Sequence, residues 1–94
     1  MSSDFTTLEC LVQNRLGALD RVLGALTHRG ILPNRMETFL KGETNTMCIR
    51  VEFDCSDARM VEKLVKFLEK QVYVMEASAA VPQNATQMNQ LFVA

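Results

Sequence analysis

The sequence predicts an α+β domain of order βαββαβ, a four-stranded antiparallel sheet with two helices on one face. Three observations carry this expectation. Residues 5–12 and 46–53 alternate apolar and polar side chains with the period of a half-buried strand. Residues 18–29 and 58–70 switch to the helical period, and each carries a single apolar stripe. Glycine, proline, asparagine and aspartate cluster where the period changes.

In the first strand, Phe5 to Val12, the residues Leu8, Cys10 and Val12 share one face and Thr7, Glu9 and Leu11 the other. Asn14-Arg15-Leu16-Gly17 breaks the alternation. The first helix, Ala18 to Arg29, sets Leu19, Val22, Leu23 and Leu26 at i, i+3, i+4 and i+7. His28 and Arg29 fall where positive charge suits the helix dipole, and Gly30 stops the helix by taking positive φ. The second strand runs from Ile31 to Leu40. Pro33 lacks a ladder donor, so this strand belongs at a sheet edge or starts irregularly. Lys41 to Asn45 is turn chemistry. Thr46 to Phe53 then alternates with Met47, Ile49, Val51 and Phe53 inward, which closes a hairpin.

Ser56 or Asp57 can cap the second helix, Ala58 to Lys70, whose stripe is Val61, Leu64, Val65 and Leu68, widened by Met60 and Phe67. Val72 to Val81 is the last strand, ended by Pro82. The domain is therefore residues 1–82. Residues 83–94 form a polar tail with an apolar end, Leu91 to Ala94, that docks on this domain or on a partner. This layout is the ferredoxin-like, split-βαβ arrangement.

Composition narrows the function classes. A chain of 94 residues has room for one domain, with stability at the low end, about 5 kcal/mol. Net charge is -1, and Glu69 interrupts the cluster from Lys63 to Lys70, so no basic stripe argues for nucleic acid. No apolar run is long enough for a membrane span, and Met1-Ser2-Ser3-Asp4 does not resemble a signal peptide. Cys10, Cys48 and Cys55 are an odd number at wide spacing; they read as small apolar residues of a reducing, cytoplasmic compartment. Asn84-Ala85-Thr86 matches a glycosylation sequon that a cytoplasmic chain leaves unmodified.

A search for catalytic groups finds little. The single histidine, His28, reads as a dipole partner at a helix end. There is no nucleophile elbow, no phosphate-cradling glycine loop and no metal-ligand spacing. Asp54 and Asp57 read as loop and cap. The third strand offers only Phe53 for base stacking, on the face assigned to the core. Arg15 stands where an acylphosphatase-like anion loop would carry its arginine, without the glycine-rich surround.

The loop Asn14-Arg15-Leu16-Gly17-Ala18-Leu19 has two readings. In one, Asn14 bonds locally and Gly17 turns the chain into the helix. In the other, the loop receives a small zwitterion. Helix-start N–H groups hold its carboxylate, Gly17 permits close approach, and the Asn14 amide donates and accepts.

The run Val12-Gln13-Asn14-Arg15-Leu16-Gly17-Ala18-Leu19-Asp20-Arg21-Val22, followed by His28-Arg29-Gly30, resembles the opening of an ACT domain. More narrowly it resembles the regulatory small subunits of acetohydroxyacid (acetolactate) synthase. The match covers residues 8–40, and the element order extends it to residue 81. The resemblance implies a non-enzymatic chain without a cofactor of its own. Such a chain activates a large catalytic subunit that uses thiamine diphosphate in branched-chain amino-acid synthesis. It further implies a homodimer through the second strand, with an amino-acid effector between the loop of one copy and the second strand of the other. Asn14, Arg15, Leu16, Gly17, Ala18 and Leu19 fall on that loop. The family's valine-responsive members often place asparagine two residues after the Arg-Gly glycine. Here that position is Leu32, with Asn34 the nearest amide and expected on the same strand face. The chain resembles the short small subunits that lack a second domain. A stand-alone ACT amino-acid sensor is the alternative the same loop supports.

Overall fold

The computed structural model describes residues 5–55 and 57–81, together with the backbone of residues 90–93. Its elements are β1 (Thr6–Gln13), α1 (Ala18–Thr27), β2 (Pro33–Leu40), β3 (Thr46–Phe53), α2 (Ala58–Glu69), β4 (Val74–Val81) and β5 (Gln90–Val93). The sheet order is β2-β3-β1-β4-β5, with every neighbouring pair antiparallel. The first four strands and two helices form the expected ferredoxin-like α+β arrangement. Among the described residues no helix is long and apolar enough to cross a membrane.

The core lies between the sheet and the helices. Leu8, Cys10 and Val12 of β1, and Ile49, Val51 and Phe53 of β3, are buried on one face. Val22 and Leu26 of α1 meet them there with Val61, Leu64, Val65 and Leu68 of α2, as the stripes require. Leu19, Leu23, Met47 and Met60 pack at its margin, half-buried. Phe67 does not join it: at 40% exposure it widens the apolar surface of α2 outward instead.

The ends of the helices follow local chemistry. Asp57 accepts the N–H groups of Arg59 (3.1 Å) and Met60 (3.3 Å) and so caps α2. Ser56, the other candidate cap, lies outside the described residues. Past α1, Gly30 N–H donates to Thr27 (2.9 Å) and Ile31 N–H to Leu26 (3.0 Å), with Gly30 at φ +74°. That is the Schellman pattern, with buried Ile31 and Leu26 as its apolar contact. His28 Nδ1–H and an Arg29 guanidinium N–H each donate to a carbonyl of the last turn, Gly24 and Ala25, both at 2.9 Å.

Two strands start two residues later than the period predicts. β2 begins at Pro33, and its register slips between Pro33 and Arg35, so Asn34 is a bulged residue. Both consequences drawn from Pro33, an edge position and an irregular start, are present. β4 begins at Val74, because Gln71 to Val74 closes a turn (Val74 N–H to Gln71, 3.1 Å) that leaves Val72 exposed. Pro82 to Asn89 lie outside the described residues. Beyond them, Gln90–Val93 pairs antiparallel with Ser78–Val81, so the apolar end of the chain joins the sheet as an extra strand.

Candidate functional site

The loop between β1 and α1 is built by hydrogen bonds at both ends. Gln13 N–H donates to Tyr73 (2.9 Å) and Asn14 N–H to Asn45 (3.0 Å), which ties the end of β1 to the turns on either side. Ala18 N–H then donates to Arg15 (3.2 Å), closing a four-residue turn. Gly17 sits in it at φ +88°, ψ -11°, the third position of a type II turn. A side chain there is strained although nothing crowds it. Leu16, one position earlier, is fully exposed.

Beside this loop is an open depression of about 390 Å³. Gln13, Asn14 and Arg15 line one side; Thr44, Asn45 and Thr46 line the other, with Met75 at the margin. Arg15 donates to Gln13 Oε1 (3.2 Å), and the Thr44 and Thr46 hydroxyls lie 2.6 Å apart. One guanidinium among neutral amides and hydroxyls can take a carboxylate at Arg15 and an ammonium at the amide or hydroxyl oxygens. Thr44, Asn45 and Met75 are not evident from sequence as partners of the loop. Asn45 is the one with a signal: at φ +55° it is the non-glycine residue of the β2–β3 turn in the left-handed region, which asparagine tolerates.

The remaining candidates lie elsewhere. Ala18 is buried and Leu19 half-buried against the core, so they anchor the helix rather than face the depression. Leu32, 79% exposed, precedes β2, and Asn34 is the bulged residue, so the alternation placing them on one face does not run through this segment. Pro33 pairs with Phe53, which pairs with Thr6, at the start of β1. Asn14 follows the other end of that strand. Seven residue steps, about 23 Å along the sheet, separate these levels. Within one copy, Leu32 and Asn34 do not meet the loop.

On the sheet face away from the helices, Arg50 bridges Glu9 (2.9 Å) and Glu37 (3.7 Å), and Arg35 also reaches Glu37 (2.6 Å). The hydrogen bond that Arg50 donates to the Glu9 carboxylate raises the Arg50 pKa further. Cys48 borders a shallow cleft on this face, about 230 Å³, with Glu9 and Glu76. Cys10 points the other way, into the core, where burial pushes its thiol up to about 12. All three cysteines are free. Among the described residues no three His, Cys, Asp or Glu side chains gather to hold a metal ion. No family model matches this chain, and no curated protein matches it.

Proposed function

We propose that this chain is a non-catalytic, cytoplasmic regulatory subunit of acetohydroxyacid synthase, working as a homodimer that activates a separate large subunit. The observation that carries the reading is the segment from Asn14 to Gly30. A turn with Gly17 at φ +88° feeds α1, and the Arg29-Gly30 pair closes it at φ +74°. This geometry fits the role of each residue in the resemblance to the ACT opening. The chemistry of the large subunit comes from thiamine diphosphate held there.

The open edge supports the pairing. β2 is the edge strand, and it carries Met36, Phe39 and Leu40 partly exposed, with Leu40 at 68%. An uncovered edge with apolar side chains is a template for another strand. A two-fold axis at the middle of β2 brings Leu32 and Asn34 of the second copy to the level of the first copy's Asn14 loop. The two halves of the candidate site, separate in one chain, then face one interface.

The test mixes the chain with the large synthase subunit encoded by the same genome. Synthase activity rises if the reading holds; unchanged activity overturns it. Light scattering at micromolar concentration reads the pairing, and a monomer there overturns that part. A second reading, a stand-alone amino-acid sensor, is favoured by the Arg15 depression with its zwitterion-compatible lining. Titration calorimetry against the common amino acids separates the two: a tight ligand with no effect on the large subunit selects the sensor.

A further inference from the structure

The helical layer carries a groove that neither the pairing nor the loop uses. It runs between α1 and α2, encloses about 410 Å³, and is open to solvent rather than closed. Gly24 and Ala25 make its floor, and Gly24 keeps it low because it has no side chain. Phe67 and Tyr73 supply apolar walls.

Two guanidiniums border the same groove, and both are held in place. Arg29 lies over the Phe67 ring, 4.6 Å from its centroid, while also donating to the Ala25 carbonyl. Arg21 lies over the Tyr73 ring at 5.7 Å. Among the described residues neither is paired with a carboxylate, and no acidic side chain lines the groove. The sheet face differs: there Arg35 and Arg50 are neutralised by Glu9 and Glu37. Two guanidiniums without a carboxylate partner thus border this groove, above an apolar floor.

We infer that this groove docks an acidic segment of the catalytic partner, one that presents an apolar side chain flanked by carboxylates. The inference rests on the reading of the chain as a regulatory subunit. Charge complementarity sets the sign of the occupant, and the apolar floor sets its body. The open shape fits an extended protein segment, since small-molecule sites enclose most of their ligand. Stacked arginines and a half-exposed aromatic are the residue types that dominate binding energy at protein interfaces. Because the guanidiniums are already ordered by the rings, little side-chain freedom is lost on docking.

The test is titration of the large synthase subunit from the same genome with wild type, Arg21→Glu and Arg59→Glu. Arg59 makes the same charge change on α2, eight residues or about 12 Å along the helix from Phe67. Arg21→Glu is expected to raise the half-activating concentration roughly tenfold or more, and Arg59→Glu less than about twofold. Equal curves for wild type and Arg21→Glu overturn the groove while leaving the regulatory reading intact. No activation by wild type overturns both. A change of dimer mass in Arg21→Glu assigns the groove to a second copy and also overturns the inference. If Arg21→Glu loses its helical circular dichroism, Arg21→Gln and Phe67→Ser are read instead. Each is expected to weaken activation at least threefold, and wild-type behaviour of both counts against the groove.

Discussion

Two glycines of one helical segment respond oppositely to the same added methyl group. Gly24 lies inside α1, and Gly30 lies just past it at φ +74°. At neither position does an added Cβ meet a heavy atom within 4 Å, so packing does not decide the outcome. Backbone conformation does. Alanine at position 24 removes unfolded-state freedom and favours the helix, a gain of about 0.5–1 kcal/mol. Alanine at position 30 must take the left-handed conformation, at about 1–2 kcal/mol, offset only in part by the same loss of unfolded-state freedom. The expected net effect of Gly30→Ala is about 1 kcal/mol destabilising. For a domain of this size 1 kcal/mol moves Tm by roughly 4–8 °C, so Gly24→Ala melts about 2–8 °C higher and Gly30→Ala about 4–8 °C lower. Thermal melts by far-UV circular dichroism read both, at one protein concentration because self-association shifts Tm. Shifts of the same sign, or a neutral Gly30→Ala, refute the assignment of Gly30 to the Schellman position.

Asp57→Ala removes the α2 cap and costs about 1 kcal/mol by urea denaturation, while Asp57→Asn, which keeps an acceptor, retains most of it. Phe53→Ala empties a fully buried site at a cost of about 3–5 kcal/mol, close to the whole stability of a domain this small, so its cooperative melt disappears. Thiol labelling at pH 8 modifies Cys48 and Cys55 in the folded chain and reaches Cys10 only after unfolding; mass mapping of the labelled peptides reports it. The Cys10 thiol has an ordinary value of 9.0 and is held to about 12 by burial. Unfolding therefore releases a proton in that window, and stability falls as pH rises from about 9 toward 12. Cys10→Ala loses that part of the slope in urea midpoints measured at pH 8 and pH 11.

Periodicity made the layered architecture legible. The α2 stripe from Val61 to Leu68, Val22 and Leu26 of the α1 stripe, and Ile49, Val51 and Phe53 of β3 are core, while Leu19, Leu23 and Met47 reach only its margin. Pro33 announced its edge through its missing donor. Period alone did not reach Val72, an apolar residue that continues the β4 pattern but is spent in a turn. Nor did it reach Asn34, since a bulge inserts a residue without changing the alphabet of the strand. Of the residues lining the candidate depression, Asn14 and Arg15 were legible. Thr44 and Asn45 come from a turn thirty residues away, brought in by the Asn14–Asn45 hydrogen bond, which no local pattern encodes. The groove between the helices was likewise hidden: Arg21 and Arg29 look like ordinary solvated charges until Tyr73 and Phe67 are placed beneath them.

The short strand β5 bears on how many copies can join. An antiparallel sheet with two bare margins can add chains at both, and an interface repeated at both margins runs on into a ribbon. Here β5 pairs with β4 along Ser78–Val81 and becomes the outer strand of that margin. In the proposed homodimer, contact through β2 is isologous, so it consumes the same surface on each partner and leaves no second one to offer. The proposed pairing at β2 is therefore self-terminating at two, while the other margin keeps a separate edge only four residues long. A strand this short at the outer position offers few ladder groups to another chain, which is one way a sheet edge is blunted.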